Sequence, residues 1–167
     1  MPPSLPLLVT DTNIWIDLHV AGLVEPVFRL PYRFLASDFV LASELRQPPV
    51  ATLRALGLEL VELDPLQVTE LFGLRAEYGR LSVQDLGAFL VARTRHAVLL
   101  TGDRRLGDLA VANGITVHGV LWLLDELVAG YIVPSTEAAE ALARMLQGGA
   151  RLPAGACRER LRNWRSN

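Results

Sequence analysis

Four acidic residues of this chain occupy positions where the side chains of α/β proteins do chemistry. Asp11 and Asp103 each end an apolar run typical of a buried strand, Asp85 begins a helical pattern, and Glu44 lies in an apolar segment. The ends of parallel strands are where such sheets present their ligands. Four ionised carboxylates share a small volume only when cations join them. The sequence therefore predicts a site for a hard metal ion, and with it phosphate chemistry.

Each acid also has a purely structural interpretation. Asp11 and Asp103 precede helical patterns that they can cap, and Asp85 stands three residues after Ser82, the spacing of a capping box. Glu44 can be a solvated charge within a helix. A buried carboxylate needs a partner, and no Lys exists in the chain to supply one. The conjunction of the four acids therefore favours a functional cluster.

Short strands alternate with helices along the chain, a pattern that predicts an α/β fold with a parallel β-sheet flanked by helices. Thr12 or Asn13 is expected to cap the first helix, and Ser37 or Asp38 the helix that carries Glu44. The predicted strands cover residues 5–9, 32–36, 58–63, 97–100 and 115–117. The predicted helices cover residues 12–18, 25–30, 38–46, 50–56, 66–78, 83–95, 104–112, 120–128 and 136–146, followed by an Arg-rich helical end.

Length and charge limit the possible classes of protein. The chain has 167 residues, of which 51% are apolar, and its formal net charge is −2. This is the size of one globular domain with an ample core. A net negative charge gives no general attraction to nucleic acid, so RNA binding needs a local basic surface. We predict a main domain over residues 1–133 and an Arg-rich helical C-terminal extension over 134–167, packed on the same domain.

The cellular compartment is predicted from features that the sequence lacks. Cys157 is the single cysteine, which excludes an internal disulfide framework and fits a reducing environment. No apolar stretch reaches the roughly 18 residues that a membrane span requires. The first residues lack the charged region of a signal peptide. We therefore expect a soluble, cytoplasmic protein with no membrane partner.

The order of the acids and the residues around them resemble the PIN-domain family, whose members include VapC-type toxins of toxin–antitoxin pairs. The resemblance covers roughly residues 5–133. The Thr-Asp-Thr-Asn and Thr-Gly-Asp-Arg-Arg strings are fairly specific together, although either alone is weak. The matching segments are Val-Thr-Asp-Thr-Asn at 9–13, Ser-Glu-Leu at 43–45, Asp85 with Ala88 and Ala92, and Leu-Thr-Gly-Asp-Arg-Arg-Leu at 100–106.

The resemblance implies a PIN-like fold and a metal-dependent endoribonuclease. Its catalytic and metal-binding residues would be the four acids, which would hold one or two Mg²⁺ or Mn²⁺ ions. It also implies a homodimer, an RNA substrate and a small antitoxin that blocks the acidic cleft. The residues that carry these roles would be Asp11, Glu44, Asp85 and Asp103.

Five further residues are candidates for supporting roles. Thr101 can orient a carboxylate or end a strand, and Asn13 can hydrogen-bond Asp11 or cap a helix. Asp108 is a possible fifth acid, with a solvated helix face as the alternative. Arg104 and Arg105 are candidates for RNA phosphate contacts. The three histidines lack metal-ligand spacing, so a zinc site is not expected and they are interpreted as structural.

Two other functions compete with the ribonuclease. A PIN-like domain that has lost catalysis would serve as a binding or scaffold module, although all four acids are present. A Mg²⁺-dependent phosphatase of doubly wound fold usually has a second acid two residues after its nucleophilic Asp. Asn13 occupies that place in this chain. Hydrolysis of RNA but not of small phosphomonoesters would separate the ribonuclease from the phosphatase.

Overall fold

The structure is a computed structural model that describes residues 4–39 and 45–166. Its strands form one parallel sheet in the order β3-β2-β1-β4-β5. The strands are β1 Leu7–Thr10, β2 Arg33–Ser37, β3 Glu59–Val61, β4 Val98–Leu100 and β5 Val117–His118. The helices are α1 Thr12–Ala21, α2 Val24–Val27, α3 Val50–Leu56, α4 Pro65–Glu77, α5 Val83–Thr94, α6 Arg104–Ala112, α7 Val120–Ala129, α8 Ser135–Gln147 and α9 Ala154–Arg165.

The predicted parallel α/β architecture is confirmed, and α3 and α6 have the predicted bounds. The first helix differs at its cap. Asp11, rather than Thr12 or Asn13, is the N-cap of α1, because its extended backbone lets the carboxylate accept a hydrogen bond from the Ile14 N–H at 3.0 Å. The helix predicted over residues 38–46, and with it Glu44, falls mainly on residues 40–44, which lie outside the described residues.

The sheet separates two apolar layers, because successive side chains of a strand point to opposite faces. Leu8 packs into the layer built with α1, α2, α7 and α8, whereas its neighbour Val9 packs into the layer built with α4, α5 and α6. Both residues are fully buried. This two-sided burial explains why the strands are continuous apolar runs rather than alternating ones.

Helix α5 lies close against the end of β2 because it has a glycine at the contact. A Cβ built on Gly87 would lie 2.8 Å from the Ser37 Oγ atom and 3.2 Å from its Cβ. Only a residue without a side chain therefore allows this approach. The contact holds the first turn of α5, which carries Asp85, near the end of β2 and within electrostatic range of Asp11 after β1.

Helices α8 and α9 pack onto the same body as the sheet. Ala138, Ala141 and Leu142 of α8 are fully buried in the apolar layer that also contains the inner face of α1. The Arg144 guanidinium donates to the Ala21 carbonyl, at 2.8 Å from Nη2, and so satisfies the carboxyl end of α1. No helix within 4–39 and 45–166 is long and apolar enough to cross a membrane.

Candidate functional site

The candidate site lies at the point in the sheet where the order of the strands reverses, beside β1. The chain adds β2 and β3 on one side of β1, and then β4 and β5 on the other. In such sheets the crevice between the two diverging strands, at their carboxyl ends, is the usual ligand site. Asp11 and Thr101 follow β1 and β4 directly. The Asp11 N–H donates to the Leu100 carbonyl at 3.0 Å, so the two strand ends are paired at this point.

Asp11 is the buried acid of the site, with 5% of its surface exposed. One carboxylate oxygen accepts from the Ile14 N–H, and the other accepts a hydrogen bond from the Thr101 hydroxyl. Neither partner carries a charge, and no Arg or His of the described segments forms an ion pair with Asp11. The ionised carboxylate is therefore compensated only by neutral donors.

Burial raises the pKa of Asp11 from 3.8 to about 6. The loss of solvent around the carboxylate is the largest cause, and the hydrogen bonds from Thr101 and from the Ile14 backbone oppose it by stabilising the charged form. The negative charge of Asp85 raises the pKa further. A cation beside this carboxylate would replace the missing solvent and oppose the repulsion.

Asp85 approaches the site from α5. Its carboxylate accepts from the Ser82 N–H at 2.8 Å, and the Ser82 hydroxyl accepts from the Asp85 N–H at 3.0 Å. The capping box proposed from the sequence is therefore present. The same residue lies close enough to Asp11 for its charge to affect the pKa of that carboxylate. Asp85 therefore both caps α5 and lies close to Asp11.

Asp103 follows β4 and begins α6. Its Oδ1 accepts from the Leu106 N–H at 2.8 Å, and its own N–H donates to the Thr101 hydroxyl at 3.0 Å. Thr101 thus joins Asp11 and Asp103, since its hydroxyl donates to the first residue and accepts from the second. The side chain of Asp103 is exposed, unlike that of Asp11.

The described residues contain no group of three or more His, Cys, Asp or Glu side chains arranged to hold a metal ion. Glu44 lies outside those residues. The donor chemistry nevertheless fits a hard cation, because Asp11 is a buried carboxylate with no basic partner among the described residues and Asp85 repels it. A carboxylate accepts about four hydrogen bonds. Helix capping therefore leaves lone pairs on each of Asp11, Asp85 and Asp103 for another ligand.

The structure separates the candidate supporting residues into two groups. Asn13 and Thr101 line a cleft together with Asp103. Arg104 forms an exposed pair with Asp108 at 3.8 Å, which is a surface contact between successive turns of α6. Asp108 and Arg105 line a different cavity, of about 670 Å³, between α6 and the segment that joins α4 to α5.

The cleft beside Asp103 has a volume of about 810 Å³ and contains residues that the sequence patterns did not identify. Its far wall is the connection between α8 and α9, residues 148–153. The sequence pattern predicts only a structural role for His118, and Arg151 is one of 16 arginines with no distinguishing neighbours. The pair Gly148-Gly149 was the one signal of a turn there. The polar and aromatic residues that line this cleft are Asn13, Asp17, Thr101, Asp103, His118, Trp122, Arg151 and Arg160.

Several solved structures are similar to this chain. A PilT N-terminus domain protein of the hyperthermophilic archaeon Sulfolobus solfataricus aligns with a TM-score of 0.54 and 14% identity, covering 73% of this chain and 93% of that one. A protein from Pyrobaculum aerophilum gives a TM-score of 0.48 and 22% identity, covering 74% of this chain and 98% of that one. VapBC2 from Rickettsia felis, solved bound to a DNA fragment from its promoter, gives a TM-score of 0.46 and 16% identity, covering 68% of this chain and 98% of that one. The likeness to the Sulfolobus protein shows a shared fold.

Sequence comparison gives the family directly. No curated protein matches the chain in sequence. The family model DUF3368, described as a PIN domain, matches residues 7–166, and therefore includes α8 and α9 as well as the sheet. Since this match covers nearly the whole chain and agrees with the fold, the chain belongs to the PIN-domain family.

Proposed function

We propose that this protein is a metal-dependent endoribonuclease that hydrolyses phosphodiester bonds of RNA at the site around Asp11. The observation that carries the proposal is the state of the Asp11 carboxylate. It is buried at the switch point of the sheet, has no basic partner among the described residues, and has a pKa of about 6. Membership of the PIN-domain family supports nuclease activity at this position.

The catalytic and metal-binding residues in this proposal are the four acids predicted from the sequence. When bound, one or two Mg²⁺ or Mn²⁺ ions would activate water and stabilise negative charge on the phosphate. Asp11 and Asp85 would use the lone pairs that their caps leave free, and Asp103 would use its Oδ2 atom. The proposed metal-binding residues are Asp11, Glu44, Asp85 and Asp103.

Thr101 has a positioning role in this proposal. Its hydroxyl donates to Asp11 and so favours the ionised carboxylate, and it accepts from the Asp103 backbone. Asn13 is exposed at the edge of the cleft and is proposed to assist Asp11. Arg104 and Arg105 are proposed to contact RNA phosphates along α6, whereas Asp108 is a fifth acid only if that surface also meets the substrate.

The test is RNA cleavage by matched variants. Asp11→Asn is expected to abolish Mn²⁺-dependent cleavage of a mixed RNA pool. Asp64→Asn is the control, because Asp64 also caps a helix but is exposed at the start of α4. Equal loss of cleavage in both variants, or none in Asp11→Asn, would contradict the proposal. Preferential hydrolysis of small phosphomonoesters would indicate a phosphatase, and hydrolysis of neither substrate would indicate an inactive binding module.

Membership of the PIN-domain family also supports a biological role as the toxin of a toxin–antitoxin pair. We accordingly propose that the chain acts in the cytoplasm as a homodimer and is inhibited by a small antitoxin protein. In this proposal residues 1–133 form the nuclease domain, and residues 134–167 form a helical extension packed on it. Growth arrest on expression of the wild type, but not of Asp11→Asn, would support this role. Equal growth with both would count against it.

A further inference from the structure

The cleft beside Asp103 extends the candidate site toward the C-terminal helices. Its near wall consists of the residues that follow β1 and β4, and its far wall is the α8–α9 connection, residues 148–153, together with α9. A volume of about 810 Å³ falls within the range of roughly 300–1,000 Å³ usual for small-ligand pockets. The cleft is therefore large enough for one nucleotide-sized group beside the acids.

Two arginines line the cleft, and only one of them is available to a ligand. The Arg160 guanidinium is held by both carboxylate oxygens of Asp125, at 2.9 Å from Nε and 2.6 Å from Nη2. Arg151 is exposed and has no ion pair or side-chain hydrogen bond with any described residue. A free guanidinium at the mouth of a cleft suits a phosphate group, whose oxygens it contacts through two parallel N–H donors.

The cleft also has an aromatic surface. The His118 ring stacks on the Trp122 ring with a centroid distance of 4.4 Å and an interplanar angle of 8°, and both residues line the cleft. His118 is tied to the site, because its carbonyl accepts from the Thr101 N–H at 2.9 Å. Aromatic side chains of this kind bind the faces of unpaired bases in single-stranded nucleic acids.

Asp17 is a further polar group of the cleft, and it determines which hydrogen-bond donors a ligand needs there. Its half-buried carboxylate lines the cleft and receives no hydrogen bond or ion pair from the described residues. A carboxylate only accepts hydrogen bonds, and it repels phosphate. It therefore favours hydroxyl or amino donors, which ribose and the bases provide. The ribose 2′-hydroxyl is the donor that distinguishes RNA from DNA.

From these groups we propose that the cleft binds one nucleotide of single-stranded RNA next to the phosphate that is cleaved. Arg151 contacts a phosphate of that nucleotide, the His118–Trp122 pair contacts its base, and Asp17 accepts from its ribose 2′-hydroxyl. This inference rests on the proposed ribonuclease function. It gives the C-terminal helices a direct part in substrate binding.

The test is the binding of a short fluorescein-labelled RNA of mixed sequence, measured by anisotropy in EDTA so that no cleavage occurs. Arg151→Ala is expected to weaken binding about tenfold, the size of one lost charge-assisted hydrogen bond. Arg158→Ala is the matched control, since Arg158 is an exposed arginine of α9 that does not line the cleft. It is expected to bind within about twofold of wild type. Equal weakening in both variants would reduce the effect to general electrostatic attraction and overturn the inference.

Asp17→Ala gives an independent readout, because it removes both acceptor oxygens of the carboxylate. Wild type is expected to bind the RNA more tightly than DNA of the same sequence, and the variant is expected to lose that difference. An unchanged ratio would remove Asp17 from the site and contradict its role in the inference. Circular dichroism spectra of all the variants check that each is folded.

The binding experiment separates this inference from the proposed function. If Arg151→Ala binds RNA as wild type does while cleavage depends on Asp11, the cleft inference fails and the ribonuclease stands. If Arg151→Ala weakens binding while Mn²⁺ supports no cleavage of any RNA, the cleft remains an RNA-binding site and the ribonuclease proposal fails.

Discussion

Burial distinguishes Asp11 from Asp85 and Asp103, which are both more exposed, and it gives the protein a pH-dependent stability. A folded-state pKa of about 6, against 3.8 for the free residue, means that the folded chain binds the proton more tightly than the unfolded chain. Between about pH 4 and 6 the folded protein therefore loses stability as pH rises, by about 3 kcal/mol in all.

Asp11→Asn removes the free-energy cost of keeping a buried carboxylate ionised. In metal-free buffer at about pH 7.5, we expect its free energy of unfolding to exceed that of wild type by about 1–3 kcal/mol. The increase in the free energy of unfolding is smaller than about 3 kcal/mol if the Asn amide forms a weaker hydrogen bond with Thr101 than the carboxylate does. Near pH 4 the wild-type carboxyl is protonated and the difference should vanish. Urea unfolding at both pH values measures the effect, and a less stable variant at neutral pH would show that the charge is needed for folding.

Thr101 is expected to control the charge of Asp11. Thr101→Val removes the hydroxyl that lowers the Asp11 pKa, so that pKa should rise above about 6, and cleavage near neutral pH should fall roughly tenfold or more. Thr69→Val is the control, because the Thr69 hydroxyl donates only to a backbone carbonyl of its own helix, α4. Carbon-13 NMR titration of the Asp11 carboxyl measures the pKa directly. An unchanged value in Thr101→Val would contradict this role.

At the scale of secondary-structure elements, the position of α5 depends on the glycine that faces β2. Gly87→Ala places a Cβ 2.8 Å from the Ser37 Oγ atom, and we expect a loss of about 1–3 kcal/mol in the free energy of unfolding. The same shift would move Asp85 and reduce cleavage. Gly73→Ala is the matched control, because a Cβ there meets nothing within 4 Å.

Gly73→Ala, the control, is expected to change the free energy of unfolding in the opposite direction. In the interior of α4, Ala in place of Gly73 is expected to stabilise the protein by about 0.5–1 kcal/mol. Thermal unfolding of the two variants side by side measures both effects. If Gly87→Ala also stabilises, the contact between α5 and β2 does not position Asp85.

The positions of the elements explain which parts of the site could be predicted from sequence. Asp11 and Asp103 were identifiable because each follows an apolar run, and Asp85 because it begins a helical pattern. The contact between Thr101 and Asp11 joins residues 90 positions apart and depends on the parallel pairing of β1 with β4. No local pattern indicates the strand order that makes this contact.

At the scale of the whole molecule, the C-terminal helices are part of the core that supports the site. Leu142 of α8 is fully buried in the layer that α1 shares. Leu142→Ala is expected to lower the free energy of unfolding by about 2–4 kcal/mol, through lost burial and the cavity that remains. Leu146→Ala, on the same helix but 38% exposed, should cost less than about 1 kcal/mol. Similar costs for both would show that α8 does not contribute to this core.

The cleft could not be predicted because it arises only when the C-terminal helices pack on the sheet. Arg151, His118 and Asp17 lie far apart in sequence, and each has an ordinary local context. The state of Arg160 could not be predicted either, because only the folded structure pairs it with Asp125 of α7. The net charge of −2 gave no sign of an RNA surface, since a single arginine in the cleft contributes only one positive charge to it.

The central claim is that Asp11 forms part of a divalent-cation site, and a calorimetric titration of metal-free protein with Mn²⁺ tests it most directly. Wild type and Asp64→Asn are expected to show the same saturable binding, and Asp11→Asn binding at least about tenfold weaker, because a buried ligand charge is lost. Absence of binding to wild type, or equal binding to wild type and Asp11→Asn, would contradict the claim and leave Asp11 as a helix cap alone.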